Sequence, residues 1–534
     1  MLKKIVCISV LMLVGYVSAQ EDAWVYFTDK ENVNASINNP ITILTQRAID
    51  RKAKHNIAID ERDVPVNESY ITQLKNAMGI TVYAKSKWFN AAHVRGSEPD
   101  INALLDLGFV EHIVFANKNL GTRNLHTLTD KFEIEDTTID FTYGTTENQV
   151  DMLNLQMLHQ QEFTGDGVTI AVLDSGFPAV DVMASFQNLR DAGNLLNGYD
   201  FVDRTNDEFA FSGSTHGTKV LSTMAAFVEN QYVGTAPDAR YYLFRTEDVN
   251  SENPVEESYW VEAAERADSL GVDIINTSLG YKNYDNPDYS YNTDEMDGVT
   301  AFVSKGATMA AEKGILVVTS AGNSGSNGVI APADAALVFS IGAVDENGNY
   351  ATFSSQGSAI QPTIKPDVVA RGRGSFVIGP NDVIVQNNGT SFSSPIMAGA
   401  MACLVQALPI LNNKQLRQLV RESATQFNIP DFFLGHGIPD FDLALQEGLE
   451  LQMQEQEQFK VFPNPVSDIL SMAFPSDVEQ ARLLVYDVLG QLLFDTTVFE
   501  SNRTIDFSSL SSGIYFVKLS AENVKTKSFQ LIKK

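Results

Sequence analysis

Cysteine is almost absent from this chain of 534 residues, which contains Cys7 and Cys403 and no other cysteine. Cys7 lies in an apolar N-terminal stretch, and removal of that stretch would leave Cys403 alone, so that no intramolecular disulfide can form. Cys403 lies in the apolar helical run 401–405, where a small buried hydrophobe is a better interpretation than a reactive thiol. We therefore expect packing, with or without bound ions, to stabilise the fold.

Long apolar runs are equally scarce, and the one candidate is at the N terminus. Lys3 and Lys4 precede an apolar stretch over residues 5–14, and residues 17–19 (Val-Ser-Ala) form a small-residue cleavage site. This pattern predicts a secretory signal peptide over residues 1–19. A transmembrane anchor is the alternative, but the run is shorter than the ~20 residues that a span needs. We therefore predict an exported protein with no stable membrane span.

Positive charge is the third shortage, and the net charge is −29. Residues 144–458 carry 15 basic and 41 acidic residues, whereas residues 459–534 carry eight of each. The acidic block should repel nucleic acid and anionic membranes, so neither is an expected partner. A solubilising surface is the favoured interpretation of the acidic charge. A structural calcium ion stays an open expectation, and its ligands are unknown.

Strand and helix patterns divide the chain into modules, the first over residues 20–143. Strand-like stretches such as "AWVYFTDK" and "FVEHIVFAN" flank helical stretches such as "YITQLKNAMG", for which Gly79 is the predicted stop. The pattern predicts a small α+β domain. We find no motif in it that can be assigned to catalysis.

The second module, residues 144–447, alternates buried strands with helices. Its strands include "GVTIAVLDSG", "VDIINTSLG" and "ILVVTSAGNSG". This alternation predicts an α/β fold with a parallel sheet and helices on both faces. In such sheets the functional residues lie at the carboxyl ends of the strands.

The chain changes character after this module. Residues 448–458 include the low-complexity stretch "LQMQEQEQ" and predict a linker or a fraying helix end. Short strands separated by proline, glycine and serine turns then predict a small all-β sandwich over residues 459–534.

The stretch "NNGTSFSSPIMAG" (387–399) places Ser391 at a tight turn where a helical pattern begins. A serine hydroxyl is a weak nucleophile unless a base, a partner that orients the base, and donors for an oxyanion surround it. At a helix start, serine supplies one donor through its own backbone N–H and gains from the helix dipole. Gly389 and Thr390 allow the turn, and Pro395 in the first turns costs few backbone hydrogen bonds.

The other groups of such a site are present in the same module. Its histidines are His159, His216 and His436, and His216 alone has small neighbours and a following helix, in "STHGTKVLSTMAA". Asp174 ends the buried strand of "TIAVLDSGF" and can orient the base. Asn323, in the glycine-rich turn of "VVTSAGNSG", can donate its side-chain amide to an oxyanion.

Each of these motifs alone is a common turn or helix cap. Together, in one α/β module, they are a strong combined signal for a site with a serine nucleophile. The module resembles the subtilisin-like serine proteases over its whole length, through "VLDSG", "HGTKV", "INTSLG", "TSAGNSG" and "GTSFSSPIMAGAMA". The order of its functional residues, Asp, His, Asn and Ser, is the order of that family.

The resemblance implies a mechanism. Asp174, His216 and Ser391 would form the catalytic triad, and Asn323 would donate to the oxyanion. The substrate would be a protein or peptide, and catalysis would need no cofactor. The resemblance also implies that one segment pairs with the substrate backbone as an added strand; it consists of Thr277, Ser278, Leu279 and Gly280.

Two features depart from the family pattern. Lys219 stands where many members have a second histidine, but that position is outside the triad. The stretch "YKNYDNPDYSYNTDEMDG" (281–298) lengthens the loop after the substrate segment. A solvated acidic loop is the favoured interpretation of this stretch, and an ion site and a substrate rim are the alternatives.

The flanking modules carry resemblances of their own. Residues 20–143 resemble the inhibitory propeptides of this family. Residues 459–534 resemble the C-terminal sorting domains of the Bacteroidetes type IX secretion system, through "VFPNPVSDIL", "YDVLGQLL", "LSSGIYFVKL" and the basic end 533–534. These resemblances imply a proenzyme whose partner is the secretion machinery. It would cross the periplasm and the outer membrane to the medium or the cell surface.

Two other functions compete with a secreted endopeptidase. A surface protein could use a catalytically inactive subtilisin fold to bind ligands, although such a protein need not keep all four site residues. Residues 459–534 could also be a carbohydrate-binding module. Turnover of casein and binding to polysaccharide separate these hypotheses.

Overall fold

The computed structural model describes residues 20–55, 57–118, 144–456, 458–475, 478–522 and 524–534, which form three domains. The predicted signal peptide, residues 1–19, lies outside the described residues. Within the described part, no helix is long and apolar enough to cross a membrane.

The N-terminal domain is built on an antiparallel sheet in the order β2-β3-β1-β4. Alternate residues of its first strand face opposite sides. Ala23 and Val25 pack with the domain's own helices, whereas Trp24 packs with the central domain. The elements are β1 (Gln20–Phe27), α1 (Val33–Asn38), α2 (Gln46–Lys54), α3 (Glu68–Asn76), β2 (Thr81–Ser86), β3 (Ala91–Ser97), α4 (Glu98–Ala103) and β4 (Val110–Phe115).

One predicted boundary in this domain is wrong. Helix α3 ends at Asn76 because Ala77 has an extended backbone, so Gly79 is not the helix stop. The left-handed φ of 74° at Gly79 belongs to the turn that leads into β2.

The central domain has a parallel sheet in the order β13-β12-β11-β10-β5-β9-β6. Its strands are apolar on both faces because helices cover both, as the sequence predicted. The elements are α5 (Glu147–Asp151), α6 (Gln156–His159), β5 (Thr169–Asp174), α7 (Gln187–Asp191), β6 (Tyr199–Asp200), α8 (His216–Ala225), β7 (Phe227–Val228), β8 (Tyr232–Val233), β9 (Arg240–Arg245), α9 (Val255–Leu270), β10 (Ile274–Thr277), α10 (Phe302–Glu312), β11 (Leu316–Ser320), β12 (Phe339–Val344), β13 (Val368–Arg371), β14 (Ser375–Ile378), β15 (Ile384–Asn387), α11 (Thr390–Ala407), α12 (Asn413–Glu422) and α13 (Phe441–Gln456).

Two apolar clusters sandwich this sheet. Ile170 and Val172 of β5 pack with α8 and α11 on one face, and Ala171 and Leu173 pack with α9 and α10 on the other. Cys403 of α11 is fully buried in the first cluster, and burial raises the pKa of its thiol, as expected of an inert hydrophobe.

The segment 281–298 is a solvated loop only in part, because its acidic residues Asp285 and Asp294 are exposed but its tyrosines are not. Tyr281, Tyr284 and Tyr289 are almost fully buried. The hydroxyls of Tyr284 and Tyr291 donate to Glu257 of α9, at 2.6 and 2.9 Å. The tyrosines therefore make this segment part of the core, which the count of its acidic residues concealed.

The N-terminal domain packs on helices α9 and α10. Trp24 stacks on Phe302 with ring centroids 4.7 Å apart. Glu265 of α9 accepts hydrogen bonds from the backbone N–H groups of Lys87 and Trp88, both at 2.9 Å. The hairpin between β2 and β3 is thus held at the surface of the central domain.

A second contact between these domains is ionic and buried. Lys52 of α2 lies 2.9 Å from Asp268 and 3.1 Å from Asp63, and Arg51 also binds Asp268. Lys313, which follows α10, lies 2.7 Å from Asp63. These five side chains, called the buried ion cluster below, are nearly inaccessible to solvent.

The C-terminal domain is the all-β sandwich that the sequence predicted. Its sheets have the orders β16-β17-β20 and β19-β18-β21-β22. Helix α13 covers most of residues 448–458, for which the sequence left a linker and a helix end open. The strands are β16 (Lys460–Phe462), β17 (Ile469–Ala473), β18 (Gln480–Tyr486), β19 (Leu492–Phe499), β20 (Thr504–Asp506), β21 (Gly513–Ala521) and β22 (Val524–Lys533).

Candidate active site

Asp174 and His216 meet at the carboxyl edge of the parallel sheet. Asp174 ends β5, His216 begins α8, and His216 Nδ1 lies 2.8 Å from Asp174 Oδ1. Asp174 is fully buried, and its Oδ1 atom also accepts the backbone N–H of Ser175 at 2.7 Å. A carboxylate that accepts the proton on Nδ1 holds the imidazole in the tautomer in which the other ring nitrogen can act as a base.

Ser391 lies in the first turn of α11, beside the same edge. Gly389 precedes the helix with a φ of 146°, a value that favours glycine. Pro395 cannot donate to the carbonyl of Ser391, and that carbonyl instead accepts the hydroxyl of Ser278 at 2.8 Å. The turn that carries Ser391 is therefore tied to the strand end that follows β10. Phe392 is next to the ring of His216, with centroids 5.9 Å apart.

Asn323 follows β11, and its amide contacts the turn that carries Ser391. Its Oδ1 atom accepts hydrogen bonds from both the backbone N–H and the hydroxyl of Thr390, each at 2.9 Å. Since Oδ1 is held by Thr390, the Nδ2 group is oriented away from it. Nδ2 would lie 3.4 Å from a Cβ built on Gly389, next to the turn that carries the serine. An N–H donor at this place can stabilise an oxyanion formed at Ser391.

Ser391, Asn323 and Thr390 border a cleft of about 670 Å³. Three residues of the predicted substrate segment line it: Ser278, Leu279 and Gly280. Thr277 stays within β10, and its hydroxyl accepts from the indole N–H of Trp260 at 3.2 Å.

The other histidines of the domain lie elsewhere. Nε2 of His159 is 3.0 Å from the carbonyl oxygen of Thr235, and burial lowers the pKa of His159. His436 packs near Phe427, and burial lowers its pKa as well. Of the three candidate bases, His216 is the one that contacts the predicted carboxylate.

Sequence reasoning missed the hydroxyl groups that support the site. The Oγ atoms of Ser175 and Ser214 lie 2.7 Å apart, and Ser214 Oγ accepts the backbone N–H of His216 at 3.2 Å. Thr390 orients Asn323 as described above. Each of these residues lies one or two positions from Asp174, His216 or Ser391 in the sequence. That proximity was the signal by which the sequence could have identified them.

Lys219, which departs from the family pattern, is buried in α8 one turn after His216. In the described part of the chain, no group of three or more histidine, cysteine or acidic side chains has an arrangement that could hold a metal ion.

Family models match all three domains. The model of the subtilase family matches residues 165–437. A model of the peptidase S8 propeptide domain of Bacteroidota matches residues 22–131, and a model of the secretion system C-terminal sorting domain matches residues 460–534.

Individual relatives agree with the family models. Subtilisin DY of Bacillus licheniformis is 31% identical over 303 residues, which cover 56% of this chain and 97% of the relative. Subtilisin Savinase of Lederbergia lenta is 30% identical over 287 residues, which cover 54% and 93% of the two chains.

Among solved structures, the fold is similar to that of the epidermin leader peptide processing serine protease of Staphylococcus aureus. The TM-score is 0.54 at 18% identity, and the match covers 80% of this chain and 99% of the other. At this identity the likeness concerns the fold alone. From the family model and the subtilisin relatives together, the chain belongs to the subtilase family of serine endopeptidases, and it is made as a proenzyme with a propeptide domain and a C-terminal sorting domain.

Proposed function

We propose that this subtilase hydrolyses peptide bonds by acyl transfer through Ser391, His216 and Asp174. The observation that carries the proposal is the 2.8 Å contact between His216 Nδ1 and Asp174 Oδ1, beside the helix that begins next to Ser391. His216 takes the proton of Ser391 as the hydroxyl attacks the substrate carbonyl, and the C–O bond forms. His216 then gives that proton to the leaving amine as the C–N bond breaks.

Water completes the cycle in the same site. His216 removes a proton from water, the resulting hydroxide attacks the acyl carbon, and Ser391 leaves with the proton returned by His216. The side-chain amide of Asn323 and the backbone N–H of Ser391 stabilise the oxyanion in both halves of the reaction. The backbone of residues 278–280 pairs with the extended substrate. Neither step requires a cofactor, and a structural calcium ion is not part of the proposal.

The flanking domains fit a secreted proenzyme. We propose that the propeptide domain assists folding, occupies the cleft until it is cut off, and restrains the enzyme before export. The signal peptide directs the chain to the periplasm, and the C-terminal domain then engages the secretion machinery that carries the enzyme across the outer membrane.

A fluorophosphonate probe tests the nucleophile. The full chain should be labelled once it has matured, and Ser391→Ala should not be. Ser393→Ala is the matched control, since Ser393 lies on the same helix and donates its hydroxyl to the carbonyl of Thr390. Undiminished labelling of Ser391→Ala would overturn the assignment. Absence of labelling and of casein hydrolysis in the matured wild type would favour the inactive, ligand-binding alternative.

A further inference from the structure

Lys219 is a buried lysine without an acidic partner. It lies in α8 three residues after His216, and 8% of its surface is exposed. Lys52, Lys313 and Lys365 are also buried, and each has an aspartate close to its Nζ atom, at 2.9, 2.7 and 2.9 Å. In the part of the chain that the structure describes, the ammonium of Lys219 has neither a hydrogen bond nor an ion pair. A charge that is largely removed from water and has no partner costs free energy, which a bound anion would recover.

The side chain of Lys219 extends from the helix of the base to the hairpin that leads to the nucleophile. Its Cε atom would lie 3.9 Å from a Cβ built on Gly379, which directly follows β14. The next turn of α8 contacts the same hairpin, because the hydroxyl of Ser222 accepts the backbone N–H of Ile378 at 2.9 Å. The second strand of the hairpin, β15, ends shortly before Ser391. The lysine therefore lies between the elements that carry the base and the nucleophile.

The elements around Lys219 offer no free carboxylate. Strands β14 and β15 and helix α8 contain no acidic residue. Asp382, in the turn of the hairpin, accepts the backbone N–H groups of Ala184 and Ser185 at 2.8 and 3.0 Å, so its carboxylate is held there. An unpaired cation thus lies beside the site, although residues 144–458 carry 15 basic and 41 acidic residues.

The direction of the substrate determines which part of it meets Lys219. This step rests on the proposed function, in which residues 278–280 pair with the acyl side and His216 gives its proton to the leaving amine. The chain that follows the scissile bond therefore begins beside His216. Since residues three apart on a helix are neighbours, Lys219 is adjacent to this part of the substrate. Its side chain is long enough to meet the first or second residue after the scissile bond.

The protein contains one substrate segment of complementary charge. Residues 130–140, "DKFEIEDTTID", carry five acidic residues and one basic residue and lie between β4 and α5 in the sequence. Their structure is outside the described residues. A cut that releases the propeptide domain must fall between these two elements. An acidic residue that follows the cut would bring its carboxylate to Lys219.

We propose that Lys219 is a specificity-determining residue, and that it binds the carboxylate of an aspartate or glutamate in the first two residues after the scissile bond. A hydrogen bond to a charged group is strong enough to change the specificity constant by roughly 10-fold or more. At one of these two positions, the matured wild type should therefore have a kcat/KM for glutamate at least about 10-fold above that for glutamine, which has the same shape but no charge.

The experiment uses internally quenched peptides that differ in one residue alone, glutamate or glutamine, at the first or the second position after the cut. Mass spectrometry of the products identifies the bond that is cut, and titration with the fluorophosphonate probe gives the concentration of active sites. Lys219→Met keeps an unbranched side chain without the charge and should abolish the preference for glutamate. Lys219→Arg keeps the charge and should keep a preference.

Three controls separate this effect from a general loss of activity. Lys282→Met removes a different lysine that lines the cleft, next to residues 278–280, and should leave the preference after the cut unchanged. Peptides with glutamate or glutamine two residues before the cut should give the same ratio of kcat/KM in the wild type and in Lys219→Met. Because salt screens charges, high salt should weaken the wild-type preference for glutamate after the cut.

Two results would overturn the proposal. One is a Lys219→Met enzyme that is labelled and active but keeps the wild-type preference for glutamate. The other needs no variant: a labelled and active wild type that cleaves the glutamate and glutamine peptides equally well at both positions. In these cases the proposed function stands and this inference alone fails. If the wild type is neither labelled nor active, the proposed function fails, and this inference fails with it.

Discussion

The two ends of the Asn323 amide have separate tasks. Oδ1 accepts two hydrogen bonds from Thr390, which fixes the plane of the amide, and Nδ2 is the group proposed to meet the oxyanion. Asn323→Ala should therefore lower kcat by roughly 10²–10³ with little change in KM, which is the loss found on removing an oxyanion-hole asparagine from a subtilisin. Steady-state kinetics on titrated active sites measure it.

A second variant separates these two tasks. Asn323→Asp keeps an oxygen that can accept from Thr390 but has no N–H to donate, and it adds a negative charge beside the developing oxyanion. We expect it to lose at least as much kcat as Asn323→Ala. Near-normal kcat in either variant would show that another donor stabilises the oxyanion.

Single residues were the most predictable part of the site. Asp174, His216, Asn323 and Ser391 each lie in a short motif whose turn or helix start is fixed by adjacent residues, so local sequence was sufficient to propose them as site residues. Ile330, which also lines the cleft, was not foreseen. Its place in the cleft depends on contacts with Gly280 and Gly322, which no spacing along the chain reveals.

At the scale of elements, helix α2 of the propeptide domain is joined to helix α9 through the buried ion cluster. Removing one partner of a buried pair leaves an uncompensated charge, which costs roughly 3–5 kcal/mol. Asp268→Asn leaves the charges of Arg51 and Lys52 without their acidic partner on α9. In the Ser391→Ala background, which prevents self-cleavage, we expect a marked drop in the thermal unfolding temperature of the full chain.

Glu312→Gln is the control for this prediction. Glu312 pairs with Arg62 across the same two domains, but both side chains are more than a third exposed. Exposed pairs contribute about 1 kcal/mol or less. If the two variants lowered the unfolding temperature equally, the buried ion cluster would contribute no more to stability than an exposed ion pair.

His55, at the end of helix α2, should make the stability of the contact between the propeptide domain and the central domain decrease at acidic pH. Burial, followed by the charges of Lys54 and Arg51, lowers the pKa of His55 to about 4, and Asp273 opposes the shift. In the unfolded chain the pKa of the imidazole is about 6.5. As the pH falls from 6.5 toward 4, the unfolded state binds a proton that the folded state does not. The stability present above pH 6.5 is therefore lost as the pH falls toward 4.

His55→Gln removes this source of pH dependence. In the Ser391→Ala background, the unfolding temperature should fall less steeply between pH 7 and pH 5 than it does with His55 present. His112→Gln, at an exposed histidine on β4, should leave the slope as it was. An unchanged slope in His55→Gln would contradict the assignment.

The role of helix α2 could not be predicted from its sequence. Its alternation of basic and apolar residues is typical of an exposed amphipathic helix, because arginine and lysine are rarely buried. Arg51 and Lys52 can be buried because both pair with Asp268. This residue is adjacent in space although it lies more than 200 positions away in the sequence. Partners at such separations leave no signal in a single sequence, and the tyrosines of segment 281–298, which pack on α9, were missed for the same reason.

At the scale of the whole molecule, the C-terminal domain is an independent unit. Its apolar core is drawn from residues 459–531, with Leu470, Leu483, Val517 and Leu531 at its centre. Its charge is balanced, whereas the central domain is strongly acidic. The proposed site residues lie between positions 174 and 391, so none of them is in this domain. The sorting-domain model matches residues 460–534. A separately folded unit with no part in catalysis is therefore best explained as a sorting signal for secretion.

Deletion of residues 459–534 in a host with this secretion system tests that explanation. The truncated enzyme should keep its kcat/KM per active site because its catalytic domain is complete. It should accumulate in the periplasm because it lacks the sorting signal. The full-length Ser391→Ala variant is the control. It should still reach the medium or the cell surface, since recognition of the sorting signal does not require catalysis. Cell fractionation with active-site labelling and immunoblotting measures both quantities. If the truncated enzyme reaches the medium at the normal rate, the domain is a stabilising or carbohydrate-binding module, and binding to polysaccharide becomes the next measurement.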